Sequence, residues 1–330
     1  MKTATILIST YNKKEAIENC IKSVISVDYP EKKIFVVDNY STDGSYEILE
    51  KYKNHIELHQ YKSSLAVALN WAISQIESEY IAFTDADCVV DKNWLKELIN
   101  GFDEENLIAT AGYCGTPDGL NLFQTLIGLE LEKRFKKLPL YISRAPTMNL
   151  CVKKIFANKV EFDDSIPYGI EVDYGYKLTK FGKMKYVPSA KILHYHRSSL
   201  KSYINQQSGY AKGGIKLVLK YKNIIKGDDI SEPRMVIQIP LFIAIIFCLI
   251  GLIFNKIFLI PSILLSVVLL SIYILDIQEI LKRNNNNFVP KIYYLLLFPL
   301  FLIRTISWFW GTLAGTLSLF KEVISKLCKR

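Results

Sequence analysis

Two aspartates one residue apart, Asp85 and Asp87, close the short apolar run Tyr80-Ile81-Ala82-Phe83-Thr84. Where a chain leaves the pleat at a strand end, both carboxylates can turn toward one hard cation. Mg²⁺ or Mn²⁺ suits such oxygen ligands and is usually completed by a substrate's phosphates. Taken alone, the pair is equally at home capping the helical segment from Asn93, so its position in the fold has to decide. Three further segments end on polar or aromatic groups: Thr10-Tyr11-Asn12, Asp38-Asn39 and Lys62-Ser63.

The elements that position these tips are legible from spacing. Residues 5–9, 33–37, 56–60 and 80–84 read as short apolar strands. After the first, Asn12 and Glu15 have capping-box spacing, and apolar pairs at 16/17, 20/21 and 24/25 repeat at helical period until Pro30. Ser41-Thr42-Asp43-Gly44 turns into a helix near 46–52, and 65–75 is a third helix. Strands separated by such helices imply βαβ units and a parallel sheet, whose ligands sit beyond the carboxyl ends of the strands. All four tips therefore point into one crevice.

Composition divides the chain. Up to about residue 230 charges are interspersed; beyond it, 235–254 and 257–275 hold no charged residue. Nineteen or twenty apolar residues match a hydrocarbon core of roughly 30 Å at about 1.5 Å per residue. A third run, 292–320, is interrupted by Pro299 and Arg304. Arg304 in lipid must snorkel or pair with an anion, and a helix break at Pro299 that leaves it at the interface is the simpler expectation. The run crosses once or bends back as a hairpin; Lys321, Lys326, Lys329 and Arg330 favour the hairpin. The asparagine run at 284–287 reads as a loop between membrane segments.

Charge excludes one class of partner. Residues 231–330 hold 10 Lys/Arg against 4 Asp/Glu, so +6 of the net +9 lies there. A nearly neutral remainder offers no concentrated cationic face for nucleic acid. Lys212, Lys216, Lys220, Lys222 and Lys226 precede the first apolar run and favour retention on the cytoplasmic side. Six cysteines without C-x-x-C spacing suggest neither a disulfide framework nor a zinc site, consistent with a reducing compartment. Met1-Lys2-Thr3 runs into a strand with no secretory h-region, so the catalytic part is expected to face the cytosol. Residues 122–138 form an amphipathic basic helix that lies on a bilayer or packs on the catalytic core.

Four pieces in order then carry a resemblance: Ile8-Ser9-Thr10-Tyr11-Asn12; Val36-Val37-Asp38-Asn39 through Gly44-Ser45; Phe83-Thr84-Asp85-Ala86-Asp87; and Gly169-Ile170-Glu171-Val172-Asp173 with Lys177-Leu178 and Gly182 behind. Residues 3–215 resemble a family 2 glycosyltransferase with the GT-A nucleotide-sugar-binding fold, an α/β, Rossmann-like architecture with a mostly parallel sheet. The resemblance implies that Thr10, Tyr11 and Asp38 hold the nucleobase and ribose. A phenol stacks, and a carboxylate accepts an imide proton. It implies Asp85 at the ribose or sugar, and Asp87 on a divalent metal that bridges the diphosphate and eases nucleotide departure. The resemblance also implies Lys62 as a further donor contact. Asn39 replaces the second aspartate of the family's Val-Asp-Asp pattern.

On the acceptor side, Thr147-Met148-Asn149 resembles the family's segment framing the donor sugar and acceptor. Glu171 stands at the position of the family's catalytic aspartate. An acceptor hydroxyl needs a carboxylate within reach to take its proton; Glu171 is the candidate base and Asp173 the fallback. In His194-Tyr195-His196 the resemblance implies a histidine near metal and diphosphate, His196 ahead of His194. Around Gln206-Gln207 and Tyr210 the processive members' Gln-x-x-Arg-Trp lacks its arginine and tryptophan.

The expectation is thus a cytosol-facing GT-A domain over 1–230 and a multi-pass helical membrane region over 231–330. It would move a sugar, with inversion, from a nucleoside diphosphate sugar to a membrane-associated, lipid-linked acceptor in glycan or cell-envelope biosynthesis, assisted by Mg²⁺ or Mn²⁺. Two rivals are a non-catalytic nucleotide-sugar sensor or complex subunit, and a processive polysaccharide synthase.

Overall fold

The computed structural model describes residues 2–283 and 289–328. The asparagine run at 284–287, and Lys329 and Arg330, lie outside the described residues. The chain divides into two compact units: Met1–Leu120, Arg134–Ser165 and Ile170–His196 form the first, and Asn121–Lys133, Ile166–Gly169 and Arg197–Arg330 the second.

The first unit is built on nine strands: β1 (Ala4–Thr10), β2 (Lys32–Asp38), β3 (Glu57–Gln60), β4 (Tyr80–Asp85), β5 (Cys88–Val90), β6 (Leu107–Gly115), β7 (Tyr141–Ile142), β8 (Leu150–Lys153) and β9 (Lys183–His194). They join one sheet in the order β3-β2-β1-β4-β8-β6-β9-β5, with β7 on β9. β1 to β4, β6 and β9 run one way; β5, β7 and β8 oppose them. The sheet is therefore mostly parallel, as the alternation of strands and helices predicts. Ile6, Leu7, Ile8, Val36, Val37, Ile81, Ala82 and Phe83 are buried almost without exception, because helices cover both faces of a parallel sheet. Those helices include α1 (Lys14–Ile25), α2 (Ser45–Glu50), α3 (Leu65–Gln75) and α4 (Trp94–Asn100).

Register does the positioning. Gln60 lies opposite Asp38, Asp38 opposite Thr10, and Asp85 opposite Ser9. The four strands thus end on one row at the same edge. Later in the chain come α5 (Leu122–Phe135), β7 and β8, then α6 (Lys154–Ala157), and α7 (Ile170–Leu178) starts just after Gly169, whose φ of 79° suits glycine.

In the second unit the helices are α8 (Leu200–Lys220), α9 (Pro233–Val236), α10 (Gln238–Phe254), α11 (Leu259–Arg283) and α12 (Leu297–Cys328). Three segments, Pro233–Phe254, Lys256–Arg283 and Lys291–Ser325, are long and apolar enough to cross a membrane. The first two are 17% buried in their most apolar windows and the third 44%, so the third packs on protein more than the other two. The expected break at Pro299 does not occur. α12 is one helix of 32 residues with Pro299 in its first turn, where the missing N–H has no intrahelical partner to lose. Nor does Arg304 lie at an interface: it is 1% exposed, paired with Glu130 and donating to Gln238 Oε1 at 3.0 Å. Glu130 comes from α5, whose Leu126, Ile127 and Leu129 join a core with Tyr273, Leu300 and Phe301. The basic amphipathic helix is thus tied into the apolar helices, with Lys133 3.0 Å from Asp276.

Candidate active site

The loops beyond β1, β2 and β3 are knitted together. Asp38 is fully buried, and its carboxylate accepts from Ser41 N at 3.0 Å, from the Ser41 hydroxyl, and from Gln60 Nε2 at 3.1 Å. Asn12 does not make the capping box its spacing suggests. It takes a φ of 50°, accepts from Thr42 N at 2.8 Å through Oδ1, and leaves Lys13 as the residue preceding α1. A local capping signal loses here to a tertiary turn, because Asn is among the few residues that adopt a left-handed conformation cheaply. Thr10 is buried with a hydroxyl that has no hydrogen-bond partner among the described residues. Tyr11 is 55% exposed and Lys62 is exposed; both are free to meet a ligand from the solvent side.

Asp87 is the electrostatic centre. One of its oxygens pairs with the Lys13 ammonium, and the other lies 3.4 Å from His194 Nε2. Burial works against its charge, but His194 and Lys13 hold the carboxyl well below the usual carboxylate range. Asp85 behaves oppositely. Burial, and then the charge of Asp87, push its carboxyl up to about 6, against the pull of His194 and Lys13. The antiparallel pairing of β5 with β9 sets Cys88 opposite His194 and brings this histidine to Asp87. His196, the histidine the sequence favoured for metal, stands one step out: its Nδ1 is 3.2 Å from His194 Nδ1 and its Nε2 3.2 Å from Thr116 Oγ1.

Glu171 and Asp173 occupy the first turn of α7. Burial raises the Glu171 carboxyl, opposed by its own backbone N–H and by Arg144. Its charge is felt at Asp85, so the base candidate and the strand-end acids share one field. Asp173 is fully buried and lies 2.6 Å from Lys177 Nζ, one turn along the same helix. Asn149 is 1% exposed: its Oδ1 accepts from Trp94 Nε1 at 2.8 Å, and its Nδ2 donates to the carbonyls of Tyr113 and Ala190, each at 3.0 Å. That side chain ties α4, β6 and β9 together behind the crevice. Thr147, half-buried in a single 3₁₀ turn just before it, is the more available of the two.

A divalent ion is chemically compatible with this cluster. Ligand atoms of Asp87, Cys88 and His194 all lie within 4.8 Å of one another. The Cys88 thiol is pushed well above its ordinary value by burial and is a poor partner for a hard cation. An ionised carboxylate beside an imidazole, with Asp85 adjacent, fits Mn²⁺ or Mg²⁺ completed by phosphate oxygens. Lys13 and Gln60 reach the site through folding alone. Nothing in their spacing marks them, because residues 13 and 87 meet only when β1 pairs with β4.

Residues 5–162 match the model described as glycosyl transferase family 2. This segment belongs to that family. Across 231 residues the chain is 26% identical to a poly-β-1,6-N-acetyl-D-glucosamine synthase of Staphylococcus epidermidis, covering 66% of this chain and 55% of the relative. A namesake in Staphylococcus aureus (strain COL) is 25% identical over 233 residues with the same coverage. The chain thus spans about half the length of these relatives. Its fold is similar to that of a mannosyltransferase from Pyrobaculum calidifontis, solved with GDP-Man and Mn²⁺, with a TM-score of 0.57 and 15% identity over 96% of this chain and 87% of that one. The family 2 domain therefore carries the GT-A architecture, followed by apolar helices.

Proposed function

We propose that this protein is an inverting glycosyltransferase that moves a sugar from a nucleoside diphosphate sugar to a membrane-associated, lipid-linked acceptor in cell-envelope glycan assembly. The observation that carries the reading is the convergence at the strand ends of Asp85 and Asp87, the latter paired with Lys13 and 3.4 Å from His194, with the two carboxyls tuned in opposite directions and the half-buried Glu171 in the same field. Such a split among neighbouring acids marks catalytic sites. In this reading Thr10, Tyr11 and Asp38 hold the nucleoside, Lys62 adds a donor contact, and Thr147 frames the sugar and acceptor, with Asn149 bracing that segment from behind. Asp87, with Asp85 and a histidine of the 194/196 pair, would hold the divalent ion, which supplies charge neutralisation for the departing diphosphate. Glu171 takes the acceptor's proton, with Asp173 as fallback. One base opposite the nucleotide gives a single displacement and hence inversion.

The transferase is taken as residues 1–230 and the membrane anchor as 231–330. α10 and α11 would cross the bilayer, with the catalytic unit on the cytoplasmic side. The later part of α12 runs beside α8: Lys216 Nζ is 3.2 Å from Glu322, and Cβ atoms at Gly311 and Gly315 would strike the carbonyls of Ser208 and Lys212. That contact supports a C-terminus on the same side as the lysines preceding α9. Likeness to polymer-forming synthases keeps processive elongation as a second reading, decided by product length. The direct test incubates membranes containing the protein with a panel of nucleotide sugars, lipid extract and Mn²⁺ or Mg²⁺. Metal-dependent nucleotide release, abolished by chelator and by Asp87→Ala, is expected. Release that survives both rejects the metal-assisted mechanism.

A further inference from the structure

The side chain that lies closest to Asp87 is not one the mechanism above uses. We propose that Lys13 is a resident rival of the divalent ion at Asp87 and, once displaced, a contact for the nucleotide's diphosphate; the inference rests on the metal-assisted reading given above. Asp87 offers two oxygens. One faces His194 Nε2 at 3.4 Å, and the other is paired with the Lys13 ammonium. An ammonium and a divalent cation on the same carboxylate repel at contact distance, so arrival of one displaces the other.

Only the side chain has to move. The Lys13 backbone N–H donates to Ser45 Oγ at 2.8 Å, and its carbonyl accepts from the N–H groups of Ala16 and Ile17, both at 2.9 Å. On either side, Asn12 N donates to Ser41 Oγ at 2.9 Å and Lys14 N to Asp43 Oδ2 at 3.0 Å. A main chain held at four points carries a flexible four-carbon stem ending in a point charge. Asp85 also feels the charge of Lys13, but an arriving diphosphate carries more negative charge than any one carboxylate and gives the displaced ammonium its stronger partner. The α1 N-terminus at its root favours that anion too.

The consequence is coupling. With Lys13 in place, a metal ion alone must evict a cation, whereas metal and nucleotide together give that cation a new partner. Each ligand thereby raises the other's affinity, by the same factor. The test measures free Mn²⁺ by electron paramagnetic resonance over the detergent-solubilised full chain, alone and with UDP or GDP. Lys13→Met is expected to bind Mn²⁺ alone roughly tenfold tighter than the native protein, and the enhancement given by nucleotide is expected to shrink by about the same factor. Lys13→Arg, which keeps the charge, should stay near the native pattern. If Lys13→Met unfolds at a lower temperature, Lys13→Gln carries the same expectation. A neutral variant of native thermal stability that binds Mn²⁺ alone no tighter than the native protein overturns the assignment. Failure of the native protein to bind Mn²⁺ with either nucleotide is a separate result. It sinks the metal-assisted reading, and this inference with it.

Discussion

At the scale of single residues, burial pushes neighbouring acids the same way, and only the charges of His194 and Lys13 reverse it at Asp87. Glu171, the base we propose, has a carboxyl raised by burial, and a base must be ionised to act. Turnover should therefore fall, as pH drops, at values above the ordinary glutamate range near about 4.3. Glu171→Gln should lower turnover by roughly 10²- to 10⁴-fold while leaving donor binding intact, checked by paired rate and nucleotide-binding measurements. The same shift has a stability sign. A raised pKa favours the folded state below the unfolded value, and that contribution is lost as pH rises through the folded one. Ionised Glu171 therefore works against folding at neutral pH. Thermal unfolding in detergent should find Glu171→Gln more stable than the native protein at pH 7, with the difference gone near pH 4. A glutamine variant that is both inactive and less stable at pH 7 would point to a structural role instead.

At the scale of elements, the crevice depends on ties made behind it. Asn149 satisfies the Trp94 indole and the carbonyls of Tyr113 and Ala190, joining α4 to two strands. Asn149→Leu removes these three hydrogen bonds, the one from the buried Trp94 indole alone costing about 1–3 kcal/mol, and should lower the unfolding midpoint. Close helix packing is a second tie. A Cβ at Gly311 would lie 2.2 Å from the Ser208 carbonyl oxygen, so Gly311→Leu has to separate α8 from α12. Loss of a zero-length carbodiimide crosslink between Lys216 and Glu322, whose side chains lie 3.2 Å apart in the native protein, would report the separation. The strands, the first three helices and the parallel order of β1 to β4 were readable because apolar periodicity is local. The capping box at Asn12 and the break at Pro299 misled because each depends on which partner the folded chain supplies.

At the scale of the whole molecule, charge inside the apolar helices is the main surprise. Arg304 pairs with Glu130 from α5 and is flanked by the Phe301 and Trp308 rings at 4.5 and 4.6 Å. Removing one partner of a buried pair leaves an uncompensated charge and costs about 3–5 kcal/mol, whereas replacing both by apolar groups is often neutral. Arg304→Met should destabilise the detergent-solubilised protein strongly, and Glu130→Leu added to it should restore most of the loss. Additive destabilisation in the double variant would contradict the pairing.

By itself the sequence determined the α/β domain, the strand-end acids, the apolar helices and the family resemblance. These rest on period, composition and motif order, which act over a few residues at a time. Tertiary structure decided which histidine meets Asp87, that Lys13 reaches it, that Asn149 braces the scaffold, and that Arg304 finds Glu130 rather than solvent. Each of those joins residues distant in the chain. Electrostatic partners are fixed by proximity in space, which a linear pattern does not encode.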